Sequence, residues 1–268
     1  FDHLIVGAGM AASAAATALR QADATARIAL LGEEPHPPYD RPPLSKGLWQ
    51  NTPEADIWRP IQNAKATMQL GRRVVAIDRT AHTVRDDAGD TWRYRKLLLA
   101  TGGAPRTLPF GEGFIYLRTL DDYRRLRQAV KPGARAVVIG GGFIGSEIAA
   151  ALTLNGAQVT MLFPETAIGA RAYPKALAES VTAYYRDRGA DVRAGVSVKG
   201  TAGSMLELTD GSTLAADVVV AGLGITPNVQ LAQDAGLAVD NGIVVDAQLR
   251  TSDPDIFAAG DVANFPAA

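Results

Sequence analysis

The sequence predicts an α/β protein in which one β-α-β module occurs twice, and three observations carry that reading. Short apolar runs alternate with Ala- or Ile-rich helical stretches along the chain. A glycine-rich turn joins strand to helix at residues 7–12 and again at 140–145, and a second apolar run follows each helix. Parallel neighbours need a long crossover, which each helix supplies. The expected class is two Rossmann-like, three-layer dinucleotide-binding domains with small antiparallel β-inserts.

In chain order, residues 4–6 read as a strand, an Ala-rich helix runs to about Ala22, and a buried strand follows at 28–31. Residues 33–43 are polar and proline-rich and predict an extended loop. Alternating residues at 74–77 and 82–84 predict a small antiparallel β-region. A strand at 96–100 ends in the breaker Thr101-Gly102-Gly103-Ala104-Pro105, and a helix follows near 121–130. The module then restarts: strand 135–139, turn 140–145, helix 144–155 and strand 157–163. A long helix at 174–188, strands at 205–208 and 216–221, and a last strand running into Asp261 complete the chain. The domains expected are 1–112 for the first, 113–240 for the inserted second, and a return segment 241–268 that rejoins the first.

The turns carry the chemistry. The first reads Gly7-Ala8-Gly9-Met10-Ala11-Ala12 and the second Gly140-Gly141-Gly142-Phe143-Ile144-Gly145. In such a turn the first glycine (Gly7, Gly140) permits the bend, and the second (Gly9, Gly142) lets backbone approach a pyrophosphate. The third small residue (Ala12, Gly145) lets helix and strand pack closely. Helix N-termini favour phosphate. A single turn of this kind also fits a plain structural role, but two in equivalent places argue for two dinucleotides.

An acid after the second strand of each module would bind ribose hydroxyls. Glu33 stands there in the first module. In the second, Phe163 holds the usual position and Glu165 lies two residues on, either as the ribose acid or as a solvated loop acid. No Arg directly follows the strand to hold a 2′-phosphate, which favours NADH over NADPH.

Composition excludes other classes. Cysteine is absent, so disulfide reductases, coenzyme A disulfide and peroxide reductases, zinc thiolate sites and iron–sulfur ligation are ruled out for this sequence. A net charge of −1 gives no pull toward nucleic acid or anionic membrane. His3, His36 and His82 show no metal-ligand spacing, so no metal is expected. Without a run of about 18 apolar residues or a secretory leader, no membrane association and a cytoplasmic location are expected. The sequence starts at Phe1 without an initiator Met, which suggests that this is not the native start. Arg72, Arg73, Arg93, Arg95 and Lys96 form a basic cluster, read first as a solvated β-face and otherwise as a contact for an acidic partner.

One segment is more specific. Pro38-Tyr39-Asp40-Arg41-Pro42-Pro43-Leu44-Ser45-Lys46 resembles the FAD loop of the ferredoxin reductases that serve Rieske dioxygenases and monooxygenases, and is equally similar to that of apoptosis-inducing factor. Ala100-Thr101-Gly102-Gly103-Ala104-Pro105-Arg106, Tyr116 to Asp122, Gly140 to Glu147, Ala221 to Asn228, and Thr251 to Asp261 follow in family order. The resemblance implies FAD on Gly7, Gly9 and Glu33. Arg41 and Arg118 would serve its adenine and phosphate side, and the Val75 backbone its adenine edge. Thr101 and Gly102 would approach it from the domain junction, and Asp261 would take its ribityl chain. The resemblance also implies NADH on the second turn with Glu165 and Gly224, and Lys46 paired with Glu147 beside flavin N5. A C-terminal α+β interface domain and an FAD-contacting helix, typical of the family, are absent from this sequence. The activity implied is hydride transfer from NADH to FAD, then release of single electrons to a two-iron ferredoxin. A slowly turning redox-responsive flavoprotein, like apoptosis-inducing factor, is the alternative implied by Leu162-Phe163-Pro164-Glu165. A plain NADH:quinone or dye reductase would differ only in its acceptor.

Overall fold

The computed structural model describes residues 1–203 and 205–266, so the last two residues of the return segment lie outside the described residues. The chain forms two compact units. One comprises residues 1–40, 55–104 and 226–268, the other 41–54 and 105–225.

In the first unit five parallel strands lie in the order Ile256–Ala258, Lys96–Leu99, His3–Val6, Ile28–Gly32, Thr67–Leu70. Successive side chains of a strand face opposite ways, and this sheet is buried on both faces. Leu4, Val6, Ala29, Leu31, Leu97 and Leu99 point one way, into a core with Val74, Val84, Tyr94, Leu237 and Ile243. Those partners belong to or flank two small antiparallel elements: the meander Val74–Asp78, Thr83–Asp86, Thr91–Arg93 and the pair Val239–Asp240, Gly242–Val244. Ile5, Ile28 and Leu30 point the other way, onto Ala12 and Ala16 of the helix Met10–Ala22. Helix, parallel sheet and antiparallel strands therefore make three layers, as the sequence predicts.

The second unit repeats the plan with four parallel strands in the order Asp191–Ala194, Gln158–Phe163, Arg135–Ile139, Val218–Ala221. The helix Phe143–Leu154 packs on the two central strands through Ile148, Ala149 and Leu152, all fully buried. Val137, Ile139, Leu162 and Ala221 join Val198, Leu206 and Leu208 of an antiparallel insert in a single core.

Some elements were not legible in the sequence: the edge strands Thr67–Leu70 and Asp191–Ala194, the short Thr91–Arg93, and the insert strand Val198–Ala202. Their residues are polar or half-exposed, so no hydrophobic period marks them. The compact units divide the chain at 40/41, 54/55, 104/105 and 225/226. Residues 226–240 join the first unit because Ala232 and Leu237 bury into its core. Residues 41–54 join the second, for reasons given below. No helix among the described residues is long and apolar enough to cross a membrane.

Arg135 and Asp217 lock neighbouring strands of the second unit. The Arg135 guanidinium and backbone N–H both donate to the Asp217 carboxylate, which holds it down to about 2. A carboxylate with a depressed folded value stabilises the fold above its ordinary 3.8 and loses that contribution as the pH falls toward 2. The advantage of wild type over Asp217→Asn in urea unfolding should thus be present at pH 5–7 and shrink between roughly pH 4 and 2. An advantage that persists undiminished at the lower limit would remove this pair from the acid response.

Candidate functional site

Both predicted cradles have the same backbone. Gly7 has φ +115° and Gly140 φ +117°, a region that side-chain-bearing residues rarely adopt. A Cβ there would also run into the Ala100 carbonyl in the first unit and the Gly222 carbonyl in the second. Gly9 and Gly142 are the N-caps of the two helices, at φ −88°, ψ −164° and φ −82°, ψ −170°. A Cβ built on either meets nothing within 4 Å, so these glycines face open space. At the third position Ala12 is fully buried, and a Cβ on Gly145 would strike the Gly140 carbonyl. Bend, open approach and close packing each fall on the residue the spacing assigned.

Neither cradle helix has a side-chain cap or an acid in its first turn. The contrast is the helix Leu120–Ala129, whose Thr119 hydroxyl and Asp122 carboxylate form a capping box. A helix start whose N-cap is glycine and whose own first turn holds no acid suits an anion. The cradles therefore fit the diphosphate of a dinucleotide.

Around the first cradle, Glu33 is exposed directly after the strand Ile28–Gly32. Its neighbour Glu34 accepts a hydrogen bond from Tyr39 Oη at 2.5 Å. Val75 sits at a register shift between the pairs Val74–Asp86 and Ala76–Arg85. Such a bulge takes a residue out of the ladder and re-aims it. Thr101 and Gly102 are clamped by Asn228: Asn228 Nδ2 donates to the Thr101 carbonyl (2.8 Å), Thr101 Oγ1 to the Asn228 carbonyl (3.0 Å), and Asn228 N to the Gly102 carbonyl (2.9 Å). Asp261 follows Gly260, on which a Cβ would lie 3.0 Å from the Ala11 Cβ in the first helical turn. The turn that follows the strand Ile256–Ala258 thus lies against the cradle helix.

In the second unit Phe163 is fully buried, and a Cβ on Gly141 would lie 2.7 Å from its ring. A phenyl ring under the glycine turn thus stands at the position where an acid is usual. Glu165 is not a bare loop acid: its Oε1 lies 2.5 Å from Arg171 Nη2, with the Glu165 side chain 22% exposed and Arg171 81%. The loop that carries Arg171 is tied to the turn, since Gly169 N donates to the Gly141 carbonyl at 2.8 Å. Arg171 lies well beyond the strand end, so sequence proximity does not mark it as a partner of Glu165. Gly224 (φ +85°) accepts from Arg106 N at 3.0 Å.

The remaining predicted residues converge within the second unit. Arg41 Nη1 donates to the Arg118 carbonyl at 2.6 Å, so the two arginines come together. Lys46 Nζ lies 2.9 Å from Glu147 Oε1, the pair expected from the resemblance. Ser45 Oγ donates to Glu147 Oε2 at 2.6 Å, a contact the sequence did not suggest. On the helix that carries Glu147, Tyr185 Oη donates to the Ser146 carbonyl at 3.0 Å, and burial pushes that phenol up so that it stays a donor. Among the described residues no group of three His, Asp or Glu could hold a metal ion.

Comparison with known proteins agrees with this geometry. The family described as pyridine nucleotide-disulphide oxidoreductase matches residues 1–268. The chain belongs to that family. It is 43% identical over 275 residues to the ferredoxin–NAD(+) reductase component of the anthranilate 1,2-dioxygenase system of Burkholderia cepacia, covering 97% of this chain and 67% of that protein. It is 39% identical to putidaredoxin reductase of Pseudomonas putida, covering 98% of this chain and 67% of the relative. Among solved structures, putidaredoxin reductase in covalent complex with putidaredoxin superposes with a TM-score of 0.93 at 35% identity, over 99% of this chain and 68% of that one. A ferredoxin reductase from Rhodopseudomonas palustris superposes at 0.92 with 36% identity, over 99% and 69%. The chain thus spans about two thirds of the length of these relatives. The family name mentions a disulphide, but this sequence has no cysteine and belongs with the relatives named as ferredoxin reductases.

The cradles make a paired prediction. Gly7→Ala should destabilise the fold by several kcal/mol, because it combines a forbidden φ with a backbone clash. Gly9→Ala should leave the free energy of urea unfolding within about 1 kcal/mol of wild type, yet weaken FAD binding at least tenfold by filling the open approach. Equal affinity in wild type and Gly9→Ala, by equilibrium titration, would take that glycine out of the cofactor site.

Proposed function

We propose that this chain is the nucleotide-binding portion of an NADH-dependent, FAD-containing reductase that passes electrons to a two-iron ferredoxin of an oxygenase system. The observation that carries the reading is the repeated cradle: two glycine-led helix starts with no acid in the first turn, each with its own strand pair, in a chain whose relatives are named for this activity. Bound FAD supplies the conversion of a hydride from NADH into electrons released one at a time. The chain's residues bind and orient. Residues 1–112 with the return segment 241–268 would hold FAD, through Gly7, Gly9, Ala12, Glu33, Val75, Thr101, Gly102 and Asp261, together with Arg41 and Arg118. Residues 113–240 would hold NADH, through Gly140, Gly142, Gly145, Glu165 and Gly224. Lys46 would place a cation beside the flavin, where it favours the negative charge of the reduced ring. Glu147 supplies that ammonium with a carboxylate partner. A cytoplasmic location fits such a reductase.

The buried Phe163 and displaced Glu165 favour a second reading, in which slow reduction regulates partner binding as in apoptosis-inducing factor. Rapid ferredoxin-dependent turnover would support the first reading, and a long-lived reduced complex with poor turnover the second.

The deciding measurement is the visible spectrum of the protein with FAD, before and after anaerobic NADH. A flavin spectrum that bleaches with NADH is expected, and a protein that refuses flavin or ignores NADH would end the proposal. Within that assay, Lys46→Met should slow flavin reduction or lower its potential, and unchanged kinetics would exclude Lys46 from the chemistry. Glu165→Ala should release Arg171 to meet a 2′-phosphate. The NADH-over-NADPH preference, measured as a ratio of kcat/KM values, should then fall by about tenfold, the equivalent of ~1.4 kcal/mol. A ratio that holds steady would separate Glu165 from coenzyme choice.

A further inference from the structure

We propose that Ser45 is a positioning residue for the Lys46–Glu147 pair, fixing the Glu147 carboxylate so that the Lys46 ammonium keeps one place; the proposal rests on the flavoprotein-reductase reading. Two consecutive residues reach separate oxygens of one carboxylate: Ser45 Oγ meets Oε2 at 2.6 Å and Lys46 Nζ meets Oε1 at 2.9 Å. One contact would leave the carboxylate plane free to turn, and two fix it.

The two contacts are not equivalent. Ser45 is 4% exposed, whereas the Lys46 side chain is 54% exposed. An exposed ion pair on a long, flexible stem is weak and screened by water and salt. A buried hydroxyl donating to a carboxylate at 2.6 Å has the length of a charge-assisted hydrogen bond. Ser45 Oγ also lies 3.3 Å from the Pro42 carbonyl, but a hydroxyl has one proton, and the shorter contact to the charged acceptor claims it. The serine, not the lysine, is therefore the fixed partner of Glu147.

Both ends of this contact are held by main chain. Ser45 ends the 3-10 turn Pro42–Ser45, where prolines at the first positions restrict φ and Leu44 is buried. Glu147 lies on the helix Phe143–Leu154, which the Tyr185 hydroxyl pins at Ser146. The mobile member is Lys46, and it finds a carboxylate already aimed.

The test compares Ser45→Ala and Ser45→Thr in the FAD-loaded protein. The alanine variant should slow the first-order reduction of flavin by NADH about tenfold, the rate equivalent of one such hydrogen bond. The NADH concentration giving half the limiting rate should stay unchanged, and the flavin midpoint potential should become more negative. Threonine, which restores the hydroxyl, should recover the rate to within about twofold of wild type. A second measurement needs no cofactor: urea unfolding of Ser45→Ala, Glu147→Ala and the double variant. The two losses should be non-additive, with Ser45→Ala costing nothing further once Glu147 is gone. The proposal is overturned if Ser45→Ala reduces at the wild-type rate and potential, if threonine is as slow as alanine, or if the losses add. A wild-type protein that takes up no flavin would instead overturn the functional reading, and the unfolding cycle would then decide alone whether Ser45 holds Glu147.

Discussion

The organising constraint of this chain is a pair of helix starts whose N-cap residue is glycine, with no side chain of its own to offer. The first turn of any helix presents donors without intrahelical partners, and most helices answer with Ser, Thr, Asp or Asn. The helix Leu120–Ala129 does so through Thr119 and Asp122. The helices that start at Met10 and Phe143 take glycine instead and keep acids out of their first turns. A glycine cap is weaker than Ser, Thr, Asp or Asn by only a few tenths of a kcal/mol, a small cost that a ligand completing the turn offsets. A diphosphate does so with charge of the favourable sign.

That constraint dictates how the layers are built. For the N–H groups to converge, strand must pass into helix through one tight bend, and helix must lie close on the sheet. Gly7 and Gly140 make the bend at positive φ, and Ala12 and Gly145 permit the approach. The strands behind them are buried on both faces, so their residues read as continuous apolar runs. Leu4 and Ile5 are both fully buried yet belong to different cores, one toward the antiparallel strands and one toward the helix. The sheet is therefore gripped from both sides, and the cradle at its end sits on a rigid support.

The same logic explains what could be read from sequence. Glycine positions, buried strands and the order of the modules are local signals, and each is written within a few residues of where it acts. Contacts made across long sequence distances left no such mark. Ser45 touches Glu147 from 102 residues away, and nothing near Ser45 announces it. Arg171 meets Glu165 only because the loop between them folds back through Gly169 onto Gly141. Phe163 could be seen to occupy the acid's place, but its role as a buried floor beneath Gly141 needed three dimensions. Polar edge strands such as Thr67–Leu70 escaped because their pairing, not their pattern, makes them strands.

The segment 41–54 shows how such a long-range placement is held. Of its ionic contacts, Arg124 with Glu54 is roughly 40% exposed on both sides and is worth at most about 1 kcal/mol. Trp49 and Tyr123 are buried and meet edge to face at 5.5 Å, an arrangement that adds about 0.5–1.5 kcal/mol beyond the apolar area removed from water. The polar ends of both rings are satisfied, since Tyr123 Oη donates to the Leu48 carbonyl and Trp49 Nε1 to the Leu44 carbonyl. Asn155 Nδ2, just beyond the helix that carries Glu147, donates to the Trp49 carbonyl. Aromatic burial with satisfied polar edges therefore outweighs the visible ion pair in seating this segment. Ser45 and Lys46 lie within it, so the geometry of the one charged pair assigned to the flavin is inherited from a tryptophan three residues along the chain.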